Sequence, residues 1–222
     1  MPSTKKKQPD LINHWNLIAG KKEFTSDLDV EKLFQYVEKD ASILDYGCGY
    51  GRLMPAVTKK NEVVYVGFDP AVKMIDEARS RYPDIAFHSD FDSLGESTPP
   101  NGFDSILLIS VLTAVPSNLQ QKEIIDNICA LLKPKGILIV NDFIVNRDQR
   151  NLDRYAETRS KHNYPYGVFE LDNGMLLRHH TEIYLHTLME DCFDVLSFEN
   201  GVFKTMNGNF SNAAKIIARK KD

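Results

Sequence analysis

Cysteine is scarce in this chain. The three present, Cys48, Cys129 and Cys192, are an odd number with no Cys-x-x-Cys spacing. That argues against a disulfide framework or a zinc site and makes a reducing cytoplasm the expected compartment. A basic excess is missing as well. Lys and Arg number 27 against 31 Asp and Glu, a net charge of −4, so nothing draws the chain as a whole to polyphosphate and nucleic acid is not an expected partner. No apolar run approaches the roughly 20 residues that span a bilayer, and no membrane partner is expected. The leading MPSTKKKQPD is followed by no apolar stretch of signal-peptide type; it reads as a solvated tail, and secretion is not expected. What remains is ordinary globular material. Of the 222 residues 42% are hydrophobic and 10% aromatic, enough for a sizeable core in one large α/β domain, or in one domain carrying an insertion.

The apolar pattern supports that architecture. Asp10 to Gly20 carries Leu11, Ile12, Trp15, Leu17 and Ile18 and reads as an amphipathic segment, and Asp27 offers an N-cap for a helix through Val37. Strands are then expected at 43–46, 63–68, 85–88, 103–109 and 137–145, with helices between them at 52–60, 70–81 and 118–132. Alternating units with continuously apolar strands imply a parallel sheet covered on both faces, whose ligands bind at the strands' C-terminal edge. Later, 166–171 and 175–180 flank Asp172-Asn173-Gly174 and read as a β-hairpin closed by a tight primed turn. A helix over 181–191 and two β-rich segments, 193–203 and 213–219, end the chain.

The most informative stretch is Ile43-Leu44-Asp45-Tyr46-Gly47-Cys48-Gly49-Tyr50-Gly51-Arg52, a strand leading into a loop and a helix. Glycine at every second position lets the backbone approach a ligand closely. A dinucleotide fold needs Gly-x-Gly-x-x-Gly, and counted from Gly47 the sixth place is Arg52, so a nicotinamide-dependent oxidoreductase is disfavoured. No Gly-Lys-Ser/Thr follows, so this is not a P-loop.

The segment resembles the Asp/Glu-x-Gly-x-Gly-x-Gly motif of the class I S-adenosylmethionine-dependent methyltransferases. The likeness continues in order. Val64-Tyr65-Val66-Gly67-Phe68-Asp69-Pro70 places an acid about 18 residues after the last glycine. Phe87-His88-Ser89-Asp90-Phe91 ends the third strand in another, and Leu132-Lys133-Pro134-Lys135-Gly136 resembles the family's helix-to-strand junction. The resemblance implies a three-layer, doubly wound, mostly parallel seven-stranded sheet. Residues 1–40 would be a tail and helical lid, and 41–222 the cofactor-binding domain, with an insertion at 146–180 shaping the acceptor site. It also implies cofactor roles. Asp69, followed by Pro70, accepts from the ribose hydroxyls. Asp90 takes the adenine amino group beside Phe91, and Met74 lies under the ring. Asp45 orients the loop near the methionine amine, and Gly47, Cys48, Gly49 and Gly51 bring their backbone to the amino-acid end. Arg52 meets the carboxylate, and Ser110 follows the fourth strand.

Methyl transfer needs an acceptor atom held about 3 Å from a sulfonium carbon, and such positioning supplies roughly 7–11 kcal/mol. After the fourth strand, Ser110-Val111-Leu112-Thr113-Ala114-Val115-Pro116 lacks the Asn/Asp-Pro-Pro-Tyr/Phe signature of amino-methyltransferases acting on DNA bases. It also lacks the acidic ligand of the catechol enzymes, so no metal is expected. Leu177-Arg178-His179-His180-Thr181 suggests a general base or anion contact from His179 or His180 and an anion contact from Arg178. Strand alternation points the two histidines to opposite faces, so at most one looks into the site. Trp15, Tyr50, Phe143 and Tyr166 are candidate acceptor contacts. The expected activity is methylation of an oxygen or nitrogen on a small molecule; the alternatives are a protein or peptide methyltransferase and a catalytically silent cofactor-binding module.

Overall fold

Ile43, Leu44, Asp45 and Tyr46 are all buried in the strand β1 (Ser42–Tyr46), as a strand with helices on both faces requires. The computed structural model describes residues 11–21, 25, 28–59, 62–161, 163–205 and 208–222. The leading basic tail, the N-cap expected at Asp27 and residues 206–207 lie outside them. Before β1 come α1 (Leu11–Ile18) and α2 (Val30–Leu33). After it the chain runs α3 (Met54–Thr58), β2 (Val64–Phe68), α4 (Val72–Arg81), β3 (Ala86–His88), α5 (Phe91–Ser97) and β4 (Phe103–Ile109). A 3-10 turn at Leu112–Ala114 leads to α6 (Asn118–Leu131) and β5 (Leu132–Phe143). The rest is α7 (Gln149–Lys161), β6 (Val168–Glu170), β7 (Leu176–Arg178), α8 (Glu182–Met189), β8 (Phe193–Lys204) and β9 (Phe210–Lys220).

The main sheet has seven strands in the order β3-β2-β1-β4-β5-β9-β8. β1 to β5 pair in parallel, and β9 inserts antiparallel between β5 and β8, with Val140 opposite Ile216. This is the doubly wound, mostly parallel sheet that the sequence implies. On one face Leu44, Val66, Ile106, Leu138 and Val140 pack with Ile125, Ile128, Leu185 and Leu188 of α6 and α8. On the other, Ile43, Tyr65, Leu107 and Ile139 pack with Leu33, Val57, Ile75 and Ala78 of α2, α3 and α4. Among the described residues no helix is long and apolar enough to cross a membrane.

Four local expectations are corrected. The early helix is capped by Asp29, whose side chain accepts from Lys32 N–H, and it ends at Leu33. α3 begins only at Met54, leaving Arg52 in the preceding turn, because Pro55 fits the first helical turn without losing a hydrogen bond. The hairpin is a separate two-stranded sheet, β6 with β7. Its loop spans three residues rather than a two-residue primed turn: Gly174 N–H donates to Leu171 O, Leu171 N–H donates to Met175 O, and only Gly174 takes a positive φ of 83°. Finally, α5 and α7 stand where the sequence pattern indicated no helix. α5 is only seven residues long, capped by Asp90 and carrying the poor helix former Gly95; α7 buries Asn151, Tyr155 and Thr158, a face too polar to show an apolar period.

Candidate active site

The C-terminal ends of β1, β2, β4 and β5 open onto one cavity of about 400 Å³. Gly47 makes the first wall. Its φ is +83°, and a Cβ there would stand 2.4 Å from Val111 Cγ2, so the loop passes the segment after β4 only because glycine is present. Gly47 N–H and Cys48 N–H both donate to Phe68 O, at 2.7 and 3.0 Å, which ties the loop to β2. Gly47, Cys48, Gly49 and Arg52 line the cavity; Gly51, where a Cβ would stand 2.8 Å from the Phe87 ring, does not.

Two carboxylates face this wall. Asp69 lies just beyond β2 and accepts from Gly49 N–H (2.9 Å) through Oδ2 and from Ala71 N–H (2.9 Å) through Oδ1. Burial raises its pKa to about 6 against those two donors. A carboxylate offers about four lone-pair positions, so two remain for a ligand. Asp45, fully buried, accepts from Tyr65 O–H at 2.5 Å. Burial lifts it to about 6, opposed by the Tyr65 hydrogen bond and the Arg52 charge. Pro70, Met74 and Phe91 line the cavity as well, and Phe91 sits 4.8 Å from the Phe68 ring. Asp90 does not. It is exposed, and its carboxylate caps α5 by accepting from Ser93 N–H and Oγ–H at 2.8 and 2.9 Å. Ser110, also in the lining, holds a φ of 60° that non-glycine residues rarely adopt, a local strain of the kind found at functional sites.

α1 packs on α4, with Asn16 Oδ1 accepting from Lys73 N–H at 2.9 Å, and brings Trp15, His14, Leu11 and Ile18 to the cavity. Tyr50 stays outside it, buried against Ala71 and Met74 with the Arg81 guanidinium 4.3 Å over its ring. At the other end stand Phe143, His179 and three residues of α7, Arg150, Asn151 and Arg154. Tyr166 is exposed and packs edge-on to Tyr155 away from the lining. Arg178 is buried elsewhere, donating to Asn118 Oδ1 (2.6 Å) and lying 4.0 Å over Tyr184.

The adjacent histidines part company, as strand alternation requires. His180 is fully buried and outside the lining. Its Nδ1 faces Phe143 O at 3.1 Å and so carries the proton, and its Nε2 accepts from Gln121 Nε2–H at 2.9 Å. Both ring nitrogens are spent on structure, which corrects its candidacy as a general base. His179 does line the cavity. Tyr155 O–H stands 2.6 Å from its Nδ1 and Asn146 Nδ2–H stands 3.2 Å from it. Asn146 Oδ1 accepts from Asn212 N–H, which identifies the other amide atom as the donating nitrogen. Nδ1 is therefore an acceptor and the proton sits on Nε2. Burial lowers the pKa of both rings to about 3, so both are neutral. The α7 residues and the aromatic pair Tyr46 and Phe68, also in the lining, were not singled out from sequence: the aromatics read as strand core, and α7 carries no apolar period.

The Methyltransferase domain family matches residues 25–191, three quarters of the chain, and the protein belongs to that family. The ubiquinone/menaquinone biosynthesis C-methyltransferase UbiE of Campylobacter jejuni is 24% identical over 114 residues, covering 49% of this chain and 47% of that protein. The chain thus spans about half the length of these curated relatives. An S-adenosylmethionine-dependent methyltransferase structure from Methanosarcina mazei is 24% identical with a TM-score of 0.75, covering 86% of this chain and 97% of that one. A Burkholderia thailandensis 1,6-didemethyltoxoflavin N1-methyltransferase, solved with its acceptor and S-adenosylhomocysteine, is 19% identical with a TM-score of 0.61, covering 87% and 76%. These two likenesses show the fold.

Proposed function

We propose that the protein is an S-adenosylmethionine-dependent methyltransferase acting on a small molecule. The carrying observation is the meeting of the Cβ-free bend at Gly47 with the Asp69 carboxylate at one rim of the cavity. This rim fits the cofactor: a carboxylate with free lone pairs suits a ribose diol, and Met74, Phe68 and Phe91 offer apolar flanks to an adenine. Asp45 and Arg52 meet the charged amino-acid end, beside the backbone of Gly47, Cys48 and Gly49. Asp90, which lies outside the cavity lining, is left out of this reading, and α1 with Trp15 closes the cavity as a lid. When bound, the cofactor supplies an electrophilic methyl group; the protein's own residues bind, orient and exclude water. The acceptor, with an oxygen or nitrogen to be methylated, lies between Phe143, His179 and α7. The relatives named for ubiquinone and menaquinone biosynthesis, and the Burkholderia complex with its small heterocycle, support an acceptor of this size.

The test is calorimetry with S-adenosylhomocysteine, followed by an assay for its release from S-adenosylmethionine across a panel of small acceptors. Micromolar binding with turnover on at least one acceptor is expected. Failure to bind either compound at millimolar concentration refutes the reading, and tight binding without turnover on any acceptor identifies a silent module instead.

A further inference from the structure

The α7 wall of the cavity holds a cation that forms no close ion pair. Arg154 projects from α7 into the lining, its guanidinium 3.6 Å over the Phe169 ring. Its Nε is buried without a hydrogen-bond partner, and among the described residues no carboxylate forms an ion pair with it. Its polar side-chain contact is the neutral Tyr155, and the Asp148 carboxylate acts on it only from beyond ion-pair distance, itself held by Asn151. A guanidinium keeps its charge in proteins, and leaving a charge partly desolvated and unpaired is costly. That cost is recovered if an anion binds there.

His179 stands against the same Phe169 ring, 4.7 Å between centroids and nearly edge-on. With Nδ1 held by Tyr155 and Asn146, it presents a neutral Nε2–H, a donor and not a base. Asn151, nine-tenths buried one turn before Arg154, adds an unpartnered acceptor, Oδ1. The three groups together match an anionic oxygen flanked by an O–H or N–H.

We propose that Arg154 and the Nε2–H of His179 form an oxyanion subsite that selects methyl acceptors carrying a carboxylate or an ionised phenol or enol. The inference rests on the methyltransferase reading and adds the acceptor's charge to it. His179 then acts on the acceptor as a hydrogen-bond donor, stabilising the ionised form, in place of the base that its sequence position suggested.

Calorimetry on the full-length protein saturated with S-adenosylhomocysteine tests this, with benzoate, 4-nitrophenolate at pH 8.5 and benzamide as probes. Benzoate or 4-nitrophenolate should bind at least tenfold more tightly than benzamide, and which of the two does so distinguishes a carboxylate from a phenolate acceptor. Arg154→Gln should abolish the preference, and His179→Leu should reduce it about tenfold, while His179→Gln, which restores an N–H near the Nε2 position, recovers most of it. S-adenosylhomocysteine affinity should stay within threefold of wild type in all three variants. Equal binding of the three probes by the wild-type protein overturns the proposal, and that comparison needs no variant to fold. Retention of the preference in a cofactor-binding Arg154→Gln protein overturns it as well. Absence of S-adenosylhomocysteine binding by the wild-type protein is a different failure: it removes the methyltransferase reading and the subsite with it.

Discussion

Replacing Asp69 by Asn changes one atom at the centre of the proposed cofactor grip. The aspartate already braces its own surroundings through Gly49 N–H and Ala71 N–H. The Asn amide keeps a single acceptor oxygen and turns an NH2 toward one of those donors. It also removes the negative charge from any hydrogen bond to the ribose. A hydrogen bond to a charged group contributes about 1.5–3 kcal/mol, so S-adenosylhomocysteine should bind Asp69→Asn roughly 10–150-fold more weakly at pH 8. The acidic limb gives a second reading. Burial holds Asp69 near pKa 6 in the free protein, and its proton must leave before the carboxylate accepts from two hydroxyls. Wild-type affinity should therefore be flat above about pH 7 and fall toward tenfold per pH unit below pH 6. Asp45 titrates in the same range, so the diagnostic quantity is the difference between proteins: the variant should lose one proton's worth of pH dependence. Calorimetry from pH 5 to 8.5 measures both effects. A folded Asp69→Asn protein that binds within threefold of wild type, or one whose pH profile runs parallel to it, would refute the assignment.

Two further outcomes test the scaffold. Gly47→Ala places a Cβ 2.4 Å from Val111 Cγ2 on a backbone at φ +83°; left-handed strain of about 1–2 kcal/mol and overpacking of about 1–3 kcal/mol should lower unfolding stability by about 2–5 kcal/mol in urea melts, and an unchanged midpoint contradicts the geometry. Asp142, fully buried in β5, accepts from Thr113 N–H and Phe143 N–H, yet burial still raises it from 3.8 to about 7. Because the folded pKa is the higher one, its contribution to stability is fully present below about pH 4 and is lost as pH rises through about 7. Asp142→Asn, which cannot ionise, should gain stability relative to wild type between pH 4 and 8, by up to about 4 kcal/mol at about 1.4 kcal/mol per unit; a difference between the two proteins that does not change with pH refutes the buried charge.

Where apolar spacing carries the information, sequence and structure agree closely. β4 keeps its expected limits, Phe103–Ile109, and the helix over 118–132 ends one residue early, at Leu131. Continuous burial on both faces leaves such segments few alternatives. The glycine bend was legible for a different reason: a Cβ-free path beside Val111 is a steric demand that only one residue type meets. The order β9 before β8 in the sheet was not legible, since two late β-rich segments pair equally well in either order on local pattern alone.

The expectations that the structure does not meet near α7 share one physical cause. α7 turns Asn151, Tyr155 and Thr158 inward, because its neighbours there are His179, Asn146 and the cavity rather than an aliphatic core. A helix whose buried stripe is polar has no apolar period, so hydrophobic patterning passes over it. Arg178 shows the same blindness from the other side. Its place beside two histidines suggested an anion site, but the chain leaving β7 bridges back to β5, with His180 N–H donating to Phe143 O and Val145 N–H donating to His180 O. That bridge fixes the alternation, sending Arg178 and His180 into the body of the protein and only His179 toward the cavity. The cation that does reach the cavity, Arg154, comes from the helix that patterning missed. Polar groups turned inward are costly unless a partner meets them, and this end of the cavity leaves Arg154 Nε and Asn151 Oδ1 unmet. The same departure from apolar burial that hid α7 in the sequence is therefore what leaves these two polar atoms open at the cavity, and it is the basis for the acceptor subsite proposed there.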